Sequence, residues 1–514
     1  MNLLEDRIFR VLIGRHIRRM SLPDLFAALG REQVNSLLGL QRHQEDSWHM
    51  FLCHVAGAVL ACDGSSKTRR SAKFWRDGIR QLTKRSDDAA WTLMVEDVAK
   101  PAFMQPPSRA TRFFSTFKLK ATTPDALDVL QTAKNHDLKS ARITDDPELW
   151  AFALVSLQTS IGFLGSGNYG IARMNGGWGS RCYVAFVPNE DLGARWRRDV
   201  EMLLEIRGEL LDPPYPFRQG GNRWLWLLPW DGKTSLSITS LDPFFIEVAR
   251  RIRLRCSEAG LVAYSAVSTV PRIAAQHLKG NLGDPWIPVD AERQSALTVS
   301  SHGFTPGLVR SLLFVDGFNP GRAQCPRDGE AAGWFLGSAL VRGKGRTDGF
   351  REARVRVPGK VAALLFRGGP ARDRLAYLSK WAVHAAGCME YQVLRFSLHI
   401  LLKAGPKSIA DLGNREVGAW IHQVCAPFSS NWGVSYFNWL WQALEENDDN
   451  TVQCQWIHCV RAAAINTLEL AIVSMPARAG RRYRARTCAR RAFYGSLSTH
   501  FGEFLKDGID AVVG

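Results

Sequence analysis

Arg372-Asp373-Arg374-Leu375-Ala376-Tyr377-Leu378-Ser379-Lys380-Trp381-Ala382 carries apolar residues at steps of three and four with no proline among them. The pattern runs on through Met389, Val393, Phe396, Ile400 and Leu401, so one face of a helix is apolar. A second such stretch holds Val417, Trp420, Ile421 and Val424 and, beyond Pro427, Phe437, Leu440 and Leu444. A third holds Val460, Ala463, Ile465, Leu468 and Ile472 and ends near Pro476; a fourth, from about Arg482 to Leu505, aligns Ala489, Phe493, Leu497 and Phe501. No single stripe can be buried alone, so the four segments predict a four-helix bundle over residues 370–514.

Upstream, over residues 1–369, the pattern is mixed. Helical pieces are expected at Ser21 to Gly39, Gln44 to Ala61 and Asp146 to Leu157. Strand-like runs appear at Arg181 to Val187 and at Trp224-Leu225-Trp226-Leu227-Leu228. Asp242-Pro243 followed by arginines toward Leu254 reads as a capped helix. Frequent glycine and proline predict long loops. The fold class is therefore α+β: a large mixed N-terminal domain followed by the bundle.

The chain has 514 residues, 66 Lys plus Arg against 49 Asp plus Glu, and a formal charge of +17. That excess suits a polyanionic partner. It gathers at Lys67 to Arg85, at Arg342 to Arg356 and at Arg478 to Arg491, which fits an extended nucleic-acid track or a set of solvated faces. The ten cysteines include no Cys-x-x-Cys pair and are expected as reduced thiols. Without an uninterrupted apolar run of about 18 residues, and with acid at Glu5 and Asp6, neither a membrane span nor a secretory signal is expected; a cytoplasmic protein is.

Three loops could carry chemistry. Gly162-Phe163-Leu164-Gly165-Ser166-Gly167-Asn168-Tyr169-Gly170, with Arg173 and Arg181 after it, offers backbone that can approach a partner closely, or a pair of tight turns between strands. It follows a helical stretch and lacks Gly-Lys-Ser/Thr, so neither a dinucleotide fingerprint nor a Walker loop fits. Lys134-Asn135-His136-Asp137-Leu138-Lys139 suits phosphate or base contacts, or a capped polar loop; as a catalytic base, His136 has no second cluster to work with. His277-Leu278-Lys279-Gly280-Asn281 holds a lysine between turns, either as solvent decoration or as a probe whose donors reach the acceptors of a groove. No metal-ligand spacing or nucleophile elbow stands out, and a non-enzyme is expected.

Taken in order, these stretches resemble the CasA family, the large subunit of the type I-E CRISPR Cascade surveillance complex. The likeness rests on Asn2-Leu3-Leu4, Ser21-Leu22-Pro23-Asp24-Leu25, Leu40-Gln41-Arg42-His43-Gln44 leading to Trp48-His49, and Pro101-Ala102-Phe103-Met104-Gln105. It continues with Thr123-Pro124-Asp125, the glycine-rich block, Leu241-Asp242-Pro243 and the four terminal helices, collinear over nearly the whole chain.

The resemblance implies a subunit without catalysis that reads the protospacer-adjacent motif (PAM) of target duplex from the minor groove. By position, Gly165, Ser166, Gly167, Asn168 and Gly170 resemble the family's glycine loop and Lys279 its lysine finger. Lys134, Asn135, His136 and Lys139 fall where the family meets the guide-RNA handle. A strand-separating wedge hairpin is expected between about Phe318 and Glu330, with Gln324 its nominee. Guide RNA, target DNA, the backbone, handle-binding and small subunits and a recruited helicase–nuclease are the implied partners. Relatives with clustered cysteines before the lysine hold zinc; only Cys256 stands there, so no metal or other cofactor is expected. Two alternatives remain: a metal-dependent nuclease using Asn135-His136-Asp137, and a general RNA-binding structural subunit.

Overall fold

The computed structural model describes residues 1–108, 113–128, 146–176, 179–258, 260–343, 346–403, 415–475 and 479–505. The chain divides into two compact units, Met1–Phe304 with Val315–Ala362, and Thr305–Phe314 with Ala363–Gly514. The expected boundary at 369/370 thus lies a few residues late. It also misses an excursion: the Pro306–Leu313 helix joins the helical unit, where Arg310 Nε donates to Ser379 Oγ at 3.0 Å.

The larger unit is built round the Arg42–Asp63 helix. Gln41 and Gln44 close a capping box at its start, and Gly64, at φ +69°, ends it in the left-handed conformation. From Ser47 to Leu60 every residue is buried. Trp48 meets Phe9, Phe51 and Phe152 edge to face at 4.9–5.5 Å, tying this helix to the first strand, Phe9–Ile13, and to the Pro147–Ser160 helix. Aromatic contacts of this kind add about 0.5–1.5 kcal/mol each beyond the area they bury. The Leu192–Leu211 helix packs on the central helix as well, and Asp199 reaches it through His49 at 2.7 Å.

Small sheets surround this core. Tyr183–Val187, a strand in the sequence reading too, runs antiparallel to Gly333–Gly343, which pairs in turn with Arg346–Val357. Lys118–Ala121, Gly260–Ala266 and Arg251–Ser257 form another antiparallel sheet.

Three expectations fail here, the first over Ser21 to Gly39, where the helix ends at Leu29 and Ser36–Leu37 is a strand. The capped helix at Asp242 is two strands, Leu241–Ile246 and Arg251–Ser257. Leu241, Phe244, Phe245 and Ile246 are buried, leaving no polar helical face. Asp242 caps nothing; it is a buried carboxylate paired with Arg207 at 2.8 Å and Arg223 at 3.1 Å. Trp224–Leu228 is not a continuous strand either, but the end of the Asn222–Trp224 strand and a 3-10 turn. There Trp226 Nε1 donates to Ala90 O at 2.9 Å.

In the helical unit the four amphipathic segments are helices. Pro370–Cys388 continues through a π turn at Met389–Leu394 into Arg395–Lys403; Arg415–Gln442, Asp449–Ser474 and Ala479–Phe501 follow. Pro427 sits inside the Arg415–Gln442 helix without ending it. Trp456 is the hub: it lies 4.7 Å from Trp439 between ring centres and donates to Ala382 O at 2.9 Å. Ala489, Phe493, Leu497 and Phe501 are buried along one stripe, as their spacing predicts. The Asp449–Ser474 helix is long and apolar enough to cross a membrane, with mean hydropathy 1.3, but its Trp456, Ile457, Val460, Leu468 and Ile472 line this core.

Candidate nucleic-acid interface

The glycine loop leaves the end of the Pro147–Ser160 helix, so it joins a helix to a loop rather than two strands. Asn168 N donates to Gly165 O and Leu164 N to Asn168 O, both at 2.9 Å, closing a tight turn. Gly165 and Gly167 hold φ +115° and +76°, values that disfavour any side chain. A Cβ on Gly167 would stand 2.7 Å from Val267 Cβ, and one on Gly170 3.0 Å from Phe163 N. The loop is fixed from outside by Ser268 N donating to Gly167 O at 2.9 Å and Tyr169 Oη donating to Thr269 O at 2.9 Å. Beneath it, buried Arg250 donates to the carbonyls of Gly162 and Tyr169. Ser166 is exposed, and the N–H groups of Gly165, Ser166 and Gly167 meet no acceptor among the described residues.

The lysine turn comes from the segment that clasps the loop. Beyond Val267, Ser268 and Thr269 the chain runs to a 3-10 turn at Gln276–Leu278 and to Lys279, at φ +49°. Lys279 O accepts from Ala296 N at 2.9 Å, while its side chain is exposed. Gly280 follows at φ +78°, pressed so closely on the glycine-rich block that a Cβ would lie 2.7 Å from Met174 C and 3.0 Å from Arg173 O.

Arg173 and Arg181 lock the two segments together rather than flanking a ligand. Asp284, five residues beyond Lys279, pairs with Arg173 Nε at 3.3 Å and with Arg181. Glu247 accepts from Ala172 N at 2.6 Å and from Arg173 N at 3.1 Å. All four side chains are buried. Burial, with Arg181 adjacent, pushes Arg173 down to about 10, and burial raises Glu247 above the usual carboxylate range. Nothing in the sequence marked these arginines as structural, because their partners stand some 70 to 110 positions away.

Lys134, Asn135, His136 and Lys139 lie outside the described residues. Gln324 does not present a wedge: it is 4% exposed in a 3-10 turn at Arg322–Gln324, within a segment whose only described strand is Phe318–Asn319. A long hairpin lies further on, Gly333–Gly343 against Arg346–Val357. Of the basic cluster from Lys67 to Arg85, three members are ion-paired, Arg70 with Asp63, Arg76 with Glu5 and Arg80 with Glu5 and Asp88. Arg481, Arg482, Arg484 and Arg491 are exposed on the last helix. Among the described residues no three His, Cys, Asp or Glu side chains group to hold a metal ion.

Sequence reasoning missed a buried polar network. Asp199 accepts from Trp286 Nε1 at 2.9 Å and bonds His49 Nε2, which holds the Leu192–Leu211 helix, the central helix and the end of the lysine loop in one arrangement. Burial lowers His49 below the ordinary histidine range, while His49 and the nearby arginines hold Asp199 at about 2 against the cost of its burial.

The architecture, mixed body and terminal helices alike, matches that of solved proteins. A crystal structure of CasA from Thermus thermophilus matches with TM-score 0.62 over 97% of this chain and 99% of that one, at 13% identity. The fold is that of CasA. The CRISPR-associated protein Cse1 from Acidimicrobium ferrooxidans matches with TM-score 0.61 over 98% and 99%, at 15% identity. Thermobifida fusca Cse1 matches with TM-score 0.60 over 97% and 98%, at 12% identity. No family model matches the sequence. No curated protein matches it either. The CasA likeness is one of three-dimensional fold, spanning both units at 12–15% identity.

Proposed function

We propose that this chain is the large subunit of a type I-E CRISPR Cascade complex, and that it reads the PAM of target duplex from the minor groove without doing chemistry on it. The observation that carries the reading is the pairing of the Gly165–Gly167 amides, which meet no described acceptor, with the exposed Lys279 ammonium on one rigid support. Amides and an ammonium are donors, and the minor-groove floor is lined by acceptors, adenine N3 and thymine O2. A reader of this kind accepts several related base steps, and pairing with the guide RNA then reads the rest.

The partners follow from the same role: guide RNA, the backbone, handle-binding and small subunits, and a separate helicase–nuclease that cuts. The guide-handle contact is assigned to residues 134–139. We assign the wedge to the hairpin of Gly333–Gly343 and Arg346–Val357, the long antiparallel pair that follows the 318–330 segment, since Gln324 is buried.

The test uses the complex assembled with guide RNA. Lys279→Ala should leave assembly and guide binding intact and weaken binding to PAM-bearing duplex; unchanged target affinity would overturn the reading.

A further inference from the structure

Arg342 stands near the end of the Gly333–Gly343 strand, where the register with its partner strand shifts between Val341 and Arg342. Such irregularities turn a side chain away from the regular alternation. Here it goes inward: Arg342 is 9% exposed, and its Nε and Nη1 are buried without an acceptor among the described residues. A buried guanidinium with no counter-charge among the described residues is costly, and an anion that completes it offsets that cost.

Two more cations share the place. Arg250 is 4% exposed and its backbone is fixed by Gln158, whose Nε2 donates to Arg250 O at 2.9 Å and whose Oε1 accepts from Arg250 N at 2.7 Å. The Arg250 guanidinium donates to neutral carbonyls of the glycine loop, and its Nε has no partner among the described residues. The carboxylate that acts on it, Glu247, is committed to Arg173 and to two backbone N–H groups. Lys120 stands on the Lys118–Ala121 strand. The three repel one another: burial and then Arg342 push Arg250 down to about 9, burial brings Arg342 to about 10, and desolvation with Arg250 and Arg342 lowers Lys120.

We propose that Arg342, with Arg250 and Lys120 beside it, receives one phosphodiester group of the target duplex. Among the described residues, an anion is the group this cluster lacks. Arg250 is bonded to carbonyls of the loop whose Gly165–Gly167 amides meet no described acceptor, so the ligand belongs to the strand that loop approaches. The inference rests on the protein being a duplex reader, and its experiment separates the two.

The full chain is first unfolded thermally in rising inorganic phosphate. Phosphate should raise the melting temperature of the wild type and not of Arg342→Met, whose melting temperature without phosphate should be no lower, since a lone buried charge has been removed. Duplex binding is then measured against salt. Arg342→Met should weaken it about tenfold for every PAM alike and reduce the slope of log K against log salt by about 0.9, while Arg342→Lys keeps most of both. An identical phosphate response and salt slope in wild type and Arg342→Met would overturn the proposal. So would a loss confined to one PAM, which marks base reading, or a loss for guide-handle RNA with duplex binding unchanged. A chain that shows the phosphate response but binds no duplex would sink the reading of function, and the target assignment with it, while leaving the anion receptor standing.

Discussion

Gly280 and Met174 leave no room for a side chain between them: a methyl group on Gly280 would stand 2.7 Å from the carbonyl carbon of Met174. The lysine turn is therefore seated on the backbone of the glycine-rich block, and the exposed ammonium of Lys279 inherits the rigidity of the core beneath it.

Gly280→Ala should cost about 1–3 kcal/mol, because the residue must hold φ +78° and the methyl group meets backbone and Ala296 Cβ rather than a yielding side chain. A urea titration checks it. Lys279→Ala, one position earlier and exposed, should stay within about 0.5 kcal/mol of wild type.

Asp284→Asn should be more damaging. It leaves Arg173 and Arg181 buried without the carboxylate they share, a loss of about 3–5 kcal/mol for a broken buried pair. Adding Arg181→Met should recover part of that loss, and a double-mutant cycle of denaturation free energies measures how much.

Gly167→Ala should disturb the loop and spare the core. The strained φ and the 2.7 Å approach to Val267 Cβ act at the surface. Faster hydrogen exchange at 164–170 and weaker duplex binding are expected, with the melting temperature little changed. Val267→Ala should not rescue it, because the φ strain remains.

Acid should weaken the fold through His54. Burial, with Arg173 and Arg181 nearby, holds its pKa well below the ordinary 6.5, and its Nδ1 bonds Met50 O at 2.8 Å. The unfolded chain gains this proton near pH 6.5 and the folded one does not. Stability is thus full above about pH 6.5 and falls as pH drops below it, by up to about 1.4 kcal/mol per unit for this group. His54→Phe should flatten that fall in denaturation measured from pH 7.5 to 5.5.

The strand pair at Leu241–Ile246 and Arg251–Ser257 shows where a sequence reading goes astray. Asp242-Pro243 and the trailing arginines satisfy the rules for a helix start and end. Yet Arg251-Ile252-Arg253-Leu254-Arg255 alternates with period two, which is the strand signal, and the capping pattern masked it. The wedge expectation failed differently. Gln324 is the one glutamine between Phe318 and Glu330, and residue type says nothing about burial.

The terminal helices were legible because their stripes are local: spacing within some twenty residues settles which face must be covered. So were the central helix and the Tyr183–Val187 strand, and the glycine and lysine loops announced themselves by composition. Which arginines are buttresses and which are free was not legible. Arg173, Arg181 and Arg342 look alike in the chain, but the first two meet Asp284, and Arg342 meets no described acid. Propensity and periodicity act between neighbours in sequence, whereas the pairing of a buried charge is decided by whatever distant segment the fold brings within a few ångströms of it.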